Sequence, residues 1–163
     1  MKLEIPSEKR RDSYLSLVQE FRDKGESFAP FVLEFPTNDF SAFLKKMEDC
    51  ANGIGLPEGY CPHETFWLIT NDTEVVAVSN LRHQLTASLR KNGGHIGYGV
   101  RPSARRLGYA TIILAETLKK AKERGITAAL ITCEKGNTGS SKAILKNGGI
   151  LDSKKLMDGY DDI

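Results

Sequence analysis

The chain has 163 residues, 40% apolar and 27% charged, which suits one globular unit with one core and excludes a disordered chain. A net charge of +2 is too small to argue for a nucleic-acid partner, so any informative charge is local. Three cysteines, Cys50, Cys61 and Cys133, cannot all pair and follow no framework spacing, which argues against a disulfide scaffold.

The first residues, Met1 to Pro6, lack the apolar run of a signal peptide, and no segment reaches the roughly 20 apolar residues that span a bilayer. A cytoplasmic protein without a membrane partner is the expectation. Lys2 to Ile5 alternates and stops at Pro6, predicting a short strand. Ser7 is placed to cap a helix toward Lys24, with Tyr14, Leu15, Val18 and Phe21 on one face and Gly25 as its stop. Phe28 to Pro36 is aromatic and punctuated by proline, a loop. Asp39 or Ser41 starts a second helix carrying Phe43, Leu44 and Met47, which ends near Asn52-Gly53.

Gly53 to Pro62 is rich in turn residues and reads as irregular. Phe66 to Ile69 and Glu74 to Leu81 predict an antiparallel hairpin about Asn71-Asp72. Lys91 to Gly94 breaks the chain, and His95 to Val100 is a strand with two glycines. Gly108 to Arg124 has helical periodicity through Ala110, Ile113, Leu114, Leu118 and Ala121. Ile126 to Cys133 is almost continuously apolar, as a strand covered on both faces would be. A short helix from Asn137 to Lys146 and a last strand from Ile150 follow. The order strand, helix, strand predicts a right-handed crossover between parallel neighbours. The fold class expected is α/β, a mixed sheet with helices on both faces, and residues 1–163 form one domain.

The stretch that carries chemistry is Val100 to Thr111, between a strand end and a helix start. The N-terminus of a helix leaves backbone N–H groups unpaired and favours an anion. Gly108 and Ala110 remove bulk near those amides, while Arg101, Arg105 and Arg106 are charge-assisted donors for phosphate. The residues therefore describe either a diphosphate cradle or a plain helix start with a solvated basic face. No Gly-Lys-Ser/Thr closes the loop and no Gly-x-Gly-x-x-Gly is present, so neither common nucleotide motif applies. The arginines with Lys119, Lys120 and Lys122 have no interleaved aromatics for base stacking, so no nucleic-acid partner is expected. Cys61-Pro62-His63 has no second ligand pair, so no metal is expected.

Arg105-Arg106-Leu107-Gly108-Tyr109-Ala110 after Val100-Arg101-Pro102 resembles the Arg/Gln-x-x-Gly-x-Gly/Ala signature of the GNAT superfamily of acyl-CoA N-acyltransferases. A second block, Asn137, Ser140 and Lys146-Asn147-Gly148-Gly149, is similar to that superfamily's helix after the fifth strand. The resemblance covers Phe66 to Ile150 and implies a mostly antiparallel sheet with one splayed parallel pair. It implies acetyl-CoA as cosubstrate and a small-molecule or peptide amine as acceptor. By the same resemblance, backbone groups of Tyr98 and Val100 hold the pantetheine arm. Arg105, Arg106, Leu107, Gly108, Tyr109, Ala110 and Thr111 surround the pyrophosphate, and Asn137 and Ser140 reach the cofactor. On their residues alone, Asn137 and Ser140 have a capping pair on a short helix as their alternative.

An amine nucleophile must lose a proton, and the candidates for the base are Glu134, His83 and His95. Each has a structural alternative: a solvated strand-end charge for Glu134, and a turn-satisfying imidazole for His95. Cys133 as an acyl carrier competes with a buried strand-end thiol. The tyrosine that many family members place seven residues after the asparagine is Ile144 here. The chain also ends in an acidic stretch, Leu156 to Ile163, where the family adds a further strand. That strand is expected to be frayed, truncated or supplied by a second copy in a homodimer. A non-catalytic acyl-CoA-binding or sensing domain is the alternative function.

Overall fold

A computed structural model of the chain describes residues 1–71 and 73–154. Four strands, β1 (Lys2–Glu4), β2 (His63–Thr70), β3 (Glu74–Arg82) and β4 (Ile96–Val100), form one antiparallel sheet in sequence order. Helices α1 (Arg11–Lys24) and α2 (Phe40–Ala51) cover one face. Helices α4 (Tyr109–Glu123) and α5 (Thr138–Lys146) cover the other, and a single turn, α3 (Ala87–Lys91), precedes β4.

Strand alternation divides the core into two layers. Trp67 and Val78 turn toward α1 and α2, where Tyr14 stacks on Trp67 at 4.5 Å and on Phe43 at 5.1 Å. Stacked pairs of this kind contribute about 1 kcal/mol each beyond burial. Phe66, Leu81 and Ile96 turn the other way, onto Leu114 and Ala121 of α4. A bulge between β2 and β3 matches the single step Leu68 to Ile69 against Ala77 to Val75, so that Val76 and Ala77 both face Ile113.

Most expected elements are present with small shifts. Gly25 caps α1 in the left-handed conformation, and Asp39 caps α2 by accepting from Ala42 N–H at 2.9 Å. Ser7 makes no side-chain cap, because a 3-10 turn over Glu8–Arg10 intervenes before α1. The expected loop at Phe28 to Pro36 contains a 3-10 turn, Phe31–Glu34, whose Val32 and Leu33 are buried. In the hairpin turn Asp72 falls outside the described residues, as does the acidic stretch Leu156 to Ile163 with its expected strand.

Other expected strands are not formed. Residues 126–133 form no strand, and the parallel pair with β4 is absent among the described residues. The apolar run reflects packing, not a ladder, since Ile126, Ala129 and Ile131 lie half-buried against the α4 layer and none of the eight is fully covered. The run is fastened to the residues just before β4, where Gly93 N–H donates to Thr132 Oγ1 at 3.0 Å. His95 N–H donates to the Leu130 carbonyl at 2.7 Å, and Leu130 N–H donates to His95 Nδ1 at 2.9 Å. Beyond that joint no hydrogen bond links β4 to this run among the described residues. Nor does Ile150-Leu151 begin a strand; both side chains are exposed.

Candidate functional site

The absent pairing leaves β4 as a sheet edge with free backbone groups. Arg101 N–H donates to Val76 C=O and Arg82 N–H to His95 C=O, so odd-numbered positions of β4 direct their backbone toward β3. By alternation the backbone groups of Tyr98 and Val100 point away from β3 into the gap. The only partner found there among the described residues is Arg105 Nε, 3.4 Å from Val100 O.

Gly97 and Gly99 serve the opposite side of the same strand. A Cβ at Gly99 would fall on the Ala29 carbonyl oxygen, and one at Gly97 would lie 3.4 Å from Pro30 Cβ. The close backbone approach that these glycines permit is therefore that of the chain's own 29–30 segment.

After β4 the chain makes a 3-10 turn, Pro102–Ala104, and enters the loop before α4. Arg106 has φ +65° and Gly108 has φ +85°, two left-handed residues within three positions. This backbone leaves five consecutive N–H groups, Arg106 through Ala110, with no acceptor among the described residues. All five lie at the positive end of the α4 dipole, and nothing stands within 4 Å of where a Gly108 Cβ would be. Tyr109, Ala110 and Thr111 are half-buried, while Arg105, Arg106, Leu107 and Gly108 are exposed. Thr111 is occupied through its backbone: its N–H donates to Gly108 and its carbonyl accepts from Asn147 Nδ2 at 3.1 Å.

The arginines do not behave as a set. Arg101 is buried and turned inward, donating to Val75 O at 2.9 Å, Glu20 Oε1 at 2.9 Å and Ser13 O at 2.7 Å. This corrects the expectation that it serves a phosphate. Arg105 forms a forked pair with Glu26 at 2.9 and 2.6 Å, which holds the Glu26 carboxyl below the usual carboxylate range. Arg106 alone of the three projects without an ion-pair partner among the described residues.

Across the gap, the Tyr98 hydroxyl meets Ser140 Oγ at 2.7 Å, and burial pushes the phenol up from its ordinary value. Asn137 caps α5, its Oδ1 accepting from Ser140 N–H at 3.0 Å. Glu134 is exposed in the turn before α5. His83 stands elsewhere. Its Nε2 is 3.6 Å from Glu64, which is held at 2.6 Å by Arg124 just past the C-terminal end of α4. Fifteen residues of helix, about 22 Å, separate that end from Gly108. The structure thus gathers Tyr98, Val100, the 106–110 amides and Ser140 along one gap and leaves His83 outside it.

A buried polar group that the sequence did not reveal lies on the α1 face, where Asn80 Nδ2 donates to His63 Nδ1 at 2.9 Å. His63 is 2% exposed, and burial, aided by the nearby Arg82 charge, pushes its pKa down to about 4. Below pH 6.5 the unfolded chain takes up a proton that the folded imidazole refuses, so folding stability falls as pH drops from about 6.5 toward 4. Urea midpoints measured at pH 7 and pH 5 should show this loss, at most about 1.4 kcal/mol per pH unit from this one group, and His63→Leu should reduce it. Equal slopes in both proteins would remove His63 as the source.

Among the described residues, no cluster of His, Cys, Asp and Glu is arranged to hold a metal, and no helix is long and apolar enough to cross a membrane. A sequence model described as the acetyltransferase (GNAT) family matches residues 29–148. In fold the chain is similar to the microcin C7 self-immunity acetyltransferase MccE, solved with acetyl-CoA and AMP. The TM-score is 0.63 at 17% identity, covering 98% of this chain and 87% of that one. A provisionally assigned acetyltransferase from Agrobacterium tumefaciens str. C58 gives 0.59 at 14% identity, with 96% and 98% covered. The aminoglycoside 6'-N-acetyltransferase AAC(6')-Ig from Acinetobacter haemolyticus gives 0.52 at 16%, with 96% and 95% covered. At such identities the likeness is one of fold. No curated protein matches the chain in sequence.

Proposed function

The chain belongs to the GNAT acetyltransferase family, and from that premise we propose that residues 1–163 act as one cytoplasmic enzyme domain that moves an acetyl group from acetyl-CoA to a primary amine of a small molecule or peptide. The observation that carries the reading is the row of backbone groups without a backbone partner among the described residues, running from the β4 edge at Tyr98 and Val100 to the five free amides of residues 106–110. A long, amide-bearing thioester with a diphosphate at one end is complementary to that row: extended amides suit a strand edge, and an anion suits the helix start. Gly108 leaves the approach open.

In this reading the Arg106 to Ala110 amides hold the diphosphate, with Arg106 adding charge and Thr111 completing the first helical turn. Arg105 acts through its Glu26 fork, fixing the loop and not the phosphate. Tyr98 and Val100 hold the pantetheine amides, and Ser140 keeps the Tyr98 phenol at the gap. Acetyl-CoA supplies the activated carbonyl; the Val100 N–H is the donor we assign to the oxygen on which charge develops. Holding both reactants in one gap supplies much of the rate through orientation. Of the three base candidates we retain Glu134, exposed beside Cys133, as the group that takes the ammonium proton, and set aside His83 as part of the Glu64–Arg124 cluster and His95, whose Nδ1 accepts from Leu130 N–H.

One observation favours the second reading, a non-catalytic acyl-CoA sensor. Helix α5 presents Ile144 to the apolar core where the family resemblance expects a tyrosine. Isothermal titration with acetyl-CoA, desulfo-CoA and ATP, followed by thiol release across a panel of amines, separates the two. Micromolar binding of acetyl-CoA, weaker for ATP, and thiol release with at least one amine are expected. Binding without release selects the sensor. No heat with any acyl-CoA would end both readings.

A further inference from the structure

Three arginines of the described chain are not exposed: Arg10, Arg82 and Arg101. Arg10 meets the Glu4 carboxylate at 3.0 Å, and Arg101 meets Glu20 at 2.9 Å. Arg82 meets none. Its Nη1 donates to the carbonyls of Gly93 at 2.9 Å and Gly94 at 3.1 Å, while Nε and Nη2 have no acceptor among the described residues. A guanidinium keeps its charge at any accessible pH, so partial burial against two carbonyls leaves that charge uncompensated.

The surroundings of Arg82 resemble a binding slot more than a packing defect. Its guanidinium lies 5.6 Å from the centroid of Phe31, whose ring meets Tyr60 at 6.0 Å and His63 at 5.2 Å, both edge-on. Tyr60 is 53% exposed, so this aromatic group opens to solvent. On the inner side, Nη2 stands 3.8 Å from where a Gly97 Cβ would sit, one residue from Tyr98. The two spare donors lie on one edge of the guanidinium, the geometry that matches a pair of anionic oxygens.

We propose that Arg82 anchors the acceptor: the amine substrate carries an anionic carboxylate or phosphate group that pairs with the free edge of Arg82 while its apolar part lies against Phe31 and Tyr60. The inference rests on the acetyltransferase reading and narrows its substrate class. Polyamines and aminoglycosides, which are cationic throughout, are disfavoured by it.

The test uses the full chain saturated with CoA and follows the Arg82 Nε–H signal by NMR, assigned by its loss in Arg82→Gln. Phenylacetate, phenyl phosphate and neutral phenylacetamide are titrated separately. A saturable shift at least about tenfold tighter for one anion than for the amide is expected, and the better anion identifies which group the substrate bears. That contrast needs no variant, so it survives any loss of folding in Arg82→Gln. Arg82→Lys should keep weakened anion binding. No saturable shift with either anion, or equal binding of the amide, overturns the proposal. Such a result in protein that still binds acetyl-CoA sinks this inference alone, whereas failure to bind acetyl-CoA removes the reading beneath it as well.

Discussion

Gly108→Glu is expected to weaken acetyl-CoA binding at least about a hundredfold while the protein stays folded. Two effects of the substitution separate cleanly. The first is backbone strain, since φ at Gly108 is +85° and an L-residue there costs about 1–2 kcal/mol. The second is occupancy: a Gly108 Cβ meets no atom within 4 Å, so the new side chain extends into open space in front of five free amides. A carboxylate placed about 4 Å from a phosphate at an effective dielectric of 20 meets roughly 4 kcal/mol of repulsion, which sets the scale of the loss. Gly108→Ala carries the strain without the charge. It should lower Tm by only a few degrees in a chain of this size and leave acetyl-CoA affinity within about threefold. Titration calorimetry on the three proteins, with thermal unfolding as the control, reads both effects. If Gly108→Glu binds as well as Gly108→Ala, the free amides are a helix start and nothing more.

What the sequence made legible follows a physical division. Elements whose burial is one-sided and periodic, such as α4 with Ile113, Leu114 and Ala121 inward, announce themselves because the 3.6-residue period has one cause. Residues 126–133 misled because apolar composition reports contact with a core and not backbone pairing, and half-burial against α4 needs the same residues as a strand. The free-amide loop was legible because Gly108 and its flanking block carry both a conformational demand and a family pattern. The charges were not. Whether an arginine serves a ligand or the fold depends on carboxylates far away in sequence: Glu20 and Glu26 lie on or beside α1, about 80 positions from the arginines they meet. Gly97 and Gly99 likewise signal a close backbone approach without saying whose, and only the fold names Ala29 and Pro30. Arg82 gives no signal in the sequence, because a lone arginine at a strand end has no local signature; it stands out only against two others that are paired.

Arg101 shows how far those distant partners change an expected role, and its replacement should give the largest loss of stability. Arg101→Met is expected to cost about 3–5 kcal/mol, the range for breaking a buried, hydrogen-bonded charge pair from one side. The guanidinium joins three elements: Val75 of β3 through its carbonyl, Ser13 and Glu20 of α1, and its own position at the end of β4. Removing it leaves the Ser13 and Val75 carbonyls without these donors and the Glu20 carboxylate to Ser103, whose N–H donates to it at 2.9 Å. Methionine fills much of the volume, so most of the loss is polar and not a cavity. A double variant, Glu20→Gln with Arg101→Met, should recover part of it, because the stranded charge is then gone. Arg105→Gln is the contrast. Its pair with Glu26 is 39% and 42% exposed and should be worth no more than about 1 kcal/mol. Urea unfolding of the four proteins ranks them, and acetyl-CoA affinity measured alongside decides the role. If Arg101→Met stays within 1 kcal/mol of the parent and instead loses the ligand, the inward guanidinium is a phosphate donor after all; if stability collapses while the surviving folded fraction binds normally, Arg101 belongs to the fold.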